Sequence, residues 1–466
     1  MKYMKYSLYI LAVAFIAGGC KKELQQNNPA VFSDANAFTT FDHVQLGANG
    51  AFGRYSVYSF DMYANALTSD EAKIGADNNG QGALTFRYQY SADNTTGGDV
   101  IGGWAGYYSL IDQVNRVLPH VYTVTYTPAQ APRRDIVQGQ LLALRALGHF
   151  GLLQAYCKNY NASETRGVPI MLASDPSAQP ARNTMGQVMT QIEKDLADAK
   201  ALLPAVTPAT FTDTVMNKVN IAAYQARIAL YKGDWANAIT YATEVINSNV
   251  KPLVSGAAYT GIWTDANNNE TLFRIRYATS TGIGALWTTT SGLIYIAPSD
   301  KLNTSLAAAD VRKAAFIAAN GAGNNYVNKF YTSSRGGRVV DMKACRISEM
   351  YLIRAEAYAR QGAGSLALGT ADLNALRAMR ITGYVNEVFA TTDALIAAVL
   401  DERFKELCFE GFRFYDLRRN NLPVQRLPSD ASAAWQTLAT GSFRFVFPIP
   451  QTEMTVNPNM VQNDGY

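Results

Sequence analysis

The sequence predicts a mainly α fold: tetratricopeptide-like helix pairs interrupted by irregular, loop-rich blocks with short strands. Three observations lead there. Apolar residues recur at three- and four-residue steps along most of the chain. Small residues sit at matching offsets around two turn glycines, Gly233 and Gly362. Two blocks rich in Gly, Asn, Ser, Thr and aromatics break the helical pattern.

The N-terminal element is a leader. "MKYMKYSLYILAVAFIAGGCKKELQQN" has two early lysines, an apolar run from Leu8 to Ala17, and small residues before Cys20. The run is too short to span a bilayer and has the shape of a secretory signal, residues 1–19. Ile16-Ala17-Gly18-Gly19-Cys20 resembles a bacterial lipobox, with Ala17 where Leu is usual. That resemblance implies a diacylated Cys20 as mature N-terminus, followed by a polar tether to about residue 30. An incidental Cys20 after a plain secretory signal is the alternative. The remainder divides into an N-terminal region, 31–250, and a C-terminal region, 251–466.

The helices come next. In "RRDIVQGQLLALRALGHFGLLQAY", Val137, Leu141, Leu144, Gly148, Leu152 and Ala155 share one face. "TMGQVMTQIEKDLADAKALLP" opens with Thr184 and Gln187, a capping-box pair, and stops at Pro204. "NKVNIAAYQARIALYKGDWANAITYATEVINSN" reads as two helices around Gly233-Asp234. Ala226, Ala238 and Ala242 stand where close helix approach needs small side chains. "ISEMYLIRAEAYARQGAGSLALGTADLNALRAMR" repeats this with Ala355, Tyr358, Gly362, Ala367 and Ala371. A tandem array would keep a fixed period. These units are instead separated by an insert of about residues 250–345. The insert, with "TLFRIRY" and "GLIYIA" as short strands, and the block at 69–103 are the loops that would carry binding residues.

Charge narrows the function. The formal net charge is +4 and no basic tract is present, which argues against nucleic-acid binding. Cys157, Cys345 and Cys408 are far apart in apolar helical patterns and read as buried thiols. His149 reads as a core histidine. "DANNNE" at 265–270 faintly resembles a calcium loop but lacks its glycine and spacing. No cofactor or metal set is predicted.

"ERFKELCFEGFRFYDLRR", residues 402–419, poses the sharpest question. Glu402, Glu406 and Glu410 form one helical stripe, and two carboxylates so placed could stand at a glycosidase-like separation, but Arg403, Lys405 and Arg413 are interleaved. Neighbouring cations lower a carboxyl pKa, whereas a general acid needs it raised. The stripe therefore reads as a partly buried charge network, with Gly411 ending the helix. No enzyme activity is predicted.

A sugar ligand calls for flat aromatic faces beside amides and carboxylates. By loop position the candidates are Tyr88, Tyr90, Trp104, Trp287 and Tyr295, with Asp70, Asn78, Asn79 and Asn94 as polar partners. Packing is the competing account for each tryptophan, least so for Trp287 in "GALWTTTSG".

Taken in order, many pieces resemble the SusD/RagB family of outer-membrane nutrient-binding lipoproteins. They include the lipobox at Cys20, "SDEA" at 69–72, "WAGYYSLIDQVNRVL", "LRALGHFGLLQAY", "GVPIML", "KGDWANAITYATEVI", "SEMYLIRAEAYARQG", "DERFKELCFEGFRFYDLRR" and "FPIPQTEMTVNPNMVQNDGY". The resemblance covers nearly all of the mature chain. It implies a fold of about four tetratricopeptide-like helix pairs supporting an irregular ligand-binding half, in a non-catalytic protein, lipid-anchored in the outer membrane and facing outward. Its ligand would be an oligosaccharide, and its partner a TonB-dependent, SusC-like barrel. A peptide-binding RagB-like protein and a protein-binding repeat scaffold are the alternatives.

Overall fold

The structure, a computed structural model, describes residues 37–466. The leader, Cys20 and the tether lie outside the described residues. Helix α1 (Phe41–Arg54) and α2 (Tyr58–Thr68) precede α3 (Gly98–Val117), which packs on α4 (Ala131–Tyr156). Almost every residue of α4 from Val137 onward is buried, as expected of a helix that is apolar all round. Its length and hydropathy would suit a membrane span, but 89% of its apolar window is buried inside the protein. Gly151 permits the close approach of α3: a Cβ there would lie 2.2 Å from the Tyr107 ring.

Helix α5 (Met185–Leu202) follows, and the capping box forms. Thr184 accepts from the Gln187 amide at 3.2 Å, and Gln187 Oε1 accepts from the Thr184 amide at 2.9 Å. Helices α6 (Lys218–Lys232) and α7 (Trp235–Asn247) form a hairpin about Gly233, whose φ of 75° is the left-handed cap that glycine favours. Ala226, Ala238 and Ala242 are buried in it. The insert opens with the short α8 (Gly256–Trp263). A second hairpin joins α9 (Ile347–Gln361) to α10 (Leu366–Arg380), and α9 also packs on α7 and on α11 (Thr392–Glu406).

The small residues of this second hairpin are not those expected. Ala367 and Ala371 face solvent. A 3₁₀ turn at Ala363–Ser365 delays the helix start to Leu366, so offsets counted from the turn glycine slip by two residues. Counted from the helix start, Gly369 takes the place of Ala238, and a Cβ there would lie 2.7 Å from the Ala355 carbonyl oxygen.

Short strands pair two by two. β1 (Ala72–Ile74) joins β3 (Ile296–Pro298), and β2 (Thr271–Ile275) joins β6 (Met342–Arg346), both antiparallel. Between them in sequence, β4 (Ile317–Ala319) pairs with β5 (Asn325–Val327). The main hydrophobic core runs from Phe41 to Met460, and a second cluster, with Leu352, Leu373, Leu376, Leu395 and Val399, joins α9, α10 and α11.

The carboxylate stripe is a docking network for the insert. Glu402 accepts from Arg312 at 2.5 Å and Arg377 at 2.7 Å. Glu406 accepts from Arg346 at 2.8 Å, Arg380 at 2.9 Å and Arg312 at 3.2 Å. Glu410 accepts from Lys329 and Arg346, both at 2.7 Å. Burial alone would raise all three carboxyls, but the facing cations hold them below their usual range. The interleaved cations are not the partners. Arg403 pairs with Asp416, Lys405 with Asp401, and Arg413 with Asp70, each at 2.7 Å. Nor does Gly411 end the helix: α11 stops at Glu406, and a turn with Phe409 and Gly411 at positive φ leads into α12 (Arg413–Arg419).

Candidate functional site

Pairing of β1 with β3 brings together two loops more than 200 residues apart. Beyond Ile74, the Gly75 amide donates to the Tyr295 carbonyl at 2.8 Å and the Asp77 amide to that of Ile294 at 3.0 Å. Gly75 is required here, because a Cβ would lie 2.3 Å from the Ile294 carbonyl oxygen. Asn78 Nδ2 then clamps both sides, donating to Gln81 O at 2.7 Å and Tyr295 O at 2.9 Å. Asp77 Oδ2 accepts from the Ile294 amide at 2.9 Å. The opposite loop is held by Thr289, whose Oγ1 accepts from the Leu293 amide at 2.9 Å.

A third segment completes this surface. Strand β5 runs beside β3 and leads to Tyr331, whose hydroxyl would lie 3.7 Å from a Cβ on Gly292. Tyr326 meets Tyr331 edge-on with ring centroids 4.8 Å apart. Tyr295, Tyr326 and Tyr331 are all half-buried, and Asn79 is exposed beside them. The result is a shallow, ordered face of tyrosine rings, amides and hydroxyls. It can stack on apolar sugar faces and hydrogen-bond hydroxyls.

Of the sequence candidates, the fold gathers Asn78, Asn79 and Tyr295 on this face. Four others are core. Trp287 is fully buried, stacked on Phe330 at 6.2 Å with Phe409 edge-on at 5.2 Å. Its carbonyl supports the site instead, accepting from the Tyr295 amide at 2.9 Å. Tyr88 is buried beneath the Arg426 guanidinium and donates to Thr68 O. Tyr90 is buried against Phe447 and Tyr466 and donates to Arg444 O. Asp70 is buried and engaged by Arg413 and Lys301; burial would raise its carboxyl, but these cations bring it down to about 2. None of the four presents a free face or oxygen to a ligand.

Trp104 and Asn94 lie elsewhere, in a cavity of about 400 Å³. Trp104 is 4% exposed, with Tyr108 and Tyr156 against its edges. Ile101, Ile111, Pro169 and Met171 make the wall mostly apolar. Tyr326 and Tyr331 escaped the sequence reading, although "YVNKFYTSSRGG" has the same Gly-Ser-aromatic texture as the loops that were singled out. Two further readings find their geometry. His149 is buried, with Nδ1 3.0 Å from Arg145 O and Nε2 accepting from the Met171 amide at 3.2 Å. Desolvation and Arg145 push its pKa down to about 3, so it stays neutral. Asp265, in the segment compared with a calcium loop, gives its oxygens to Arg335 and Lys343.

Comparisons with known proteins agree with the fold. Residues 26–230 match the family model described as "Starch-binding associating with outer membrane", and residues 318–466 match the model of the SusD family. SusD-like protein P2 of Formosa agariphila is 24% identical over 99% of this chain and 100% of its own. A SusD superfamily structure from Bacteroides vulgatus superposes with a TM-score of 0.81 at 23% identity, covering 92% of this chain and 100% of that one. A structure named as a laminarin-binding SusD-like protein gives a TM-score of 0.70 at 21% identity, over 92% and 100%. Two matching segments, a full-length relative and a shared fold converge on one likeness: along most of its length the chain is similar to the SusD/RagB family.

Proposed function

We propose that the chain is a surface lipoprotein that binds an oligosaccharide on the Tyr295–Tyr331–Asn78 face and delivers it to a SusC-like, TonB-dependent barrel. The observation that carries this reading is the convergence of loops 75–82 and 288–295 into one face with half-buried tyrosine rings. The starch-binding description of the family model and the laminarin-binding relative support a glycan as ligand class. Anchoring through Cys20 and the outward orientation belong to the same proposal. Abolition of lipid labelling by Cys20→Ala is the test of the anchor.

The test of the site is calorimetry against neutral oligosaccharides and short peptides, with Tyr295→Ala and Tyr331→Ala. Loss of a stacking ring should weaken glycan binding about tenfold in each variant. Binding untouched by both would remove the face from the reading. A peptide ligand is the second reading, favoured by the apolar wall beside Trp104. Binding of peptides alone, sensitive to Met171→Asp, would establish it.

A further inference from the structure

A second cleft, of about 660 Å³, opens where the C-terminal end of α12 meets the α6–α7 turn. Lys158, Lys232, Arg360, Arg418 and Arg419 line it, and among the described residues no acidic side chain does. Three of these cations are neutralised from behind. Arg419 pairs with Glu356 at 2.6 Å and Asp416 at 2.7 Å, Arg360 with Glu356 at 3.5 Å, and Lys232 with Glu193.

Arg418 is different. Its donors go to neutral acceptors: Phe445 O at 3.0 Å, Gln154 O at 2.6 Å and Tyr160 Oη at 2.9 Å. Its Nε is buried and finds no partner among the described residues. Lys158 is exposed nearby, and Asp464, a carboxylate that feels its charge, is already bridged to Arg166 at 2.5 Å. With the other three cations neutralised, Arg418 and Lys158 are left as the positive pole of the cleft.

We propose that this cleft binds the acidic residue of a charged oligosaccharide, a uronate or a sulfated sugar. Arg418 and Lys158 take the anion through charge-assisted hydrogen bonds. The exposed side-chain amide of Asn421 takes a ring hydroxyl, and the half-buried Trp235 offers an aromatic face. The ligand class rests on the glycan reading above. The site does not: it shares no residue with the Tyr295 face.

The experiment is calorimetry of the full chain carrying Cys20→Ala, which blocks lipidation. The probes are trigalacturonate, a sulfated trisaccharide, a neutral trisaccharide and a Glu-rich peptide. Lys158→Glu should weaken the acidic sugar at least about tenfold, since it reverses a charge facing the anion. Asn421→Asp should weaken it severalfold without lowering Tm, because it sets a negative charge against the anion at an exposed position. Tyr295→Ala should leave acidic binding unchanged. Which probe binds separates carboxylate from sulfate. Failure of both acidic sugars to bind, preference for the peptide, or acidic binding indifferent to both cleft variants overturns the proposal. If neutral binding still falls with Tyr295→Ala in those cases, the loop site stands and only the cleft is lost.

Discussion

Glu406→Gln separates the structural reading of the carboxylate stripe from a catalytic or binding one. Glu406 is fully buried and takes four guanidinium hydrogen bonds, from Arg312, from Arg346 and twice from Arg380, at 2.8–3.2 Å. Glutamine keeps the shape but removes the charge, and its amide N–H₂ turns donors toward donors. Breaking a buried ion pair in this way costs about 3–5 kcal/mol. A chain of 466 residues has an unfolding entropy of roughly 1 kcal/mol per degree, so Tm should fall by about 3–5 °C if the chain melts as one unit. The same carboxylates set an acid limit. Their folded pKa values lie below the unfolded value, so their stabilisation is complete above roughly pH 4.3 and is lost as pH falls through the folded values. Differential scanning calorimetry should show a lower Tm and a shallower acid decline for Glu406→Gln, with ligand affinity intact in the folded fraction. An unchanged Tm with selective loss of binding would refute the reasoning and place Glu406 in the ligand site.

Three other perturbations follow from particular contacts. Trp287→Ala empties a fully enclosed site and should cost about 3–5 kcal/mol, read as a drop in Tm or denaturant midpoint; a wild-type midpoint contradicts its burial. Gly75→Ala drives a Cβ against the Ile294 carbonyl and should separate the two loops, costing about 1–3 kcal/mol and weakening glycan binding more than Gly102→Ala, where a Cβ meets nothing within 4 Å. Glu71 is buried with neither carboxylate oxygen satisfied by a side-chain hydrogen bond, and burial raises it to about 8. The stability it contributes is therefore full below roughly pH 4.3 and is lost as pH rises through about 8. Glu71→Gln should flatten the fall of Tm over that range, leaving the smaller contribution of Asp61, raised to about 7 by burial; an unchanged slope would count against it.

Local rules were legible where a single segment carries the whole signal. Thr184 and Gln187 announce a helix start that forms as written, because a capping box involves only four consecutive residues. Gly233 with Ala238 and Ala242 announces a hairpin for the same reason. What failed depends on partners remote in sequence. Trp287 sits in a polar string, and its burial comes from Tyr63, Phe330 and Phe409, which no local pattern links to it. The stripe's partners are Arg312, Lys329, Arg346, Arg377 and Arg380, while the adjacent cations turn to other carboxylates. Ala367 and Ala371 misled because a 3₁₀ turn shifts the register, and turn length is not written in the small residues themselves.

These failures have a common physical cause that also explains how the site is built. The loop face contains little hydrophobic surface of its own, so its order must come from beneath. Trp287 and Phe330, buried under the loops, belong to the same core as Phe409 in the turn after α11. Lys329, adjacent to Phe330, reaches the carbonyl of Cys408 at 2.8 Å and Glu410 at 2.7 Å. The charge network thus pins the segment that carries Tyr331, and the Trp287 carbonyl pins Tyr295. A face held this way binds without first ordering its loops, which removes an entropic cost from association. It follows that Lys329→Met, which keeps much of the side-chain volume but cuts both links, should weaken glycan binding as well as stability. Tyr331→Phe, whose ring stays in place, should leave the loop order untouched. Hydrogen exchange across residues 326–338 distinguishes the two: faster exchange in Lys329→Met alone supports the coupling, and equal exchange in both variants severs the network from the site.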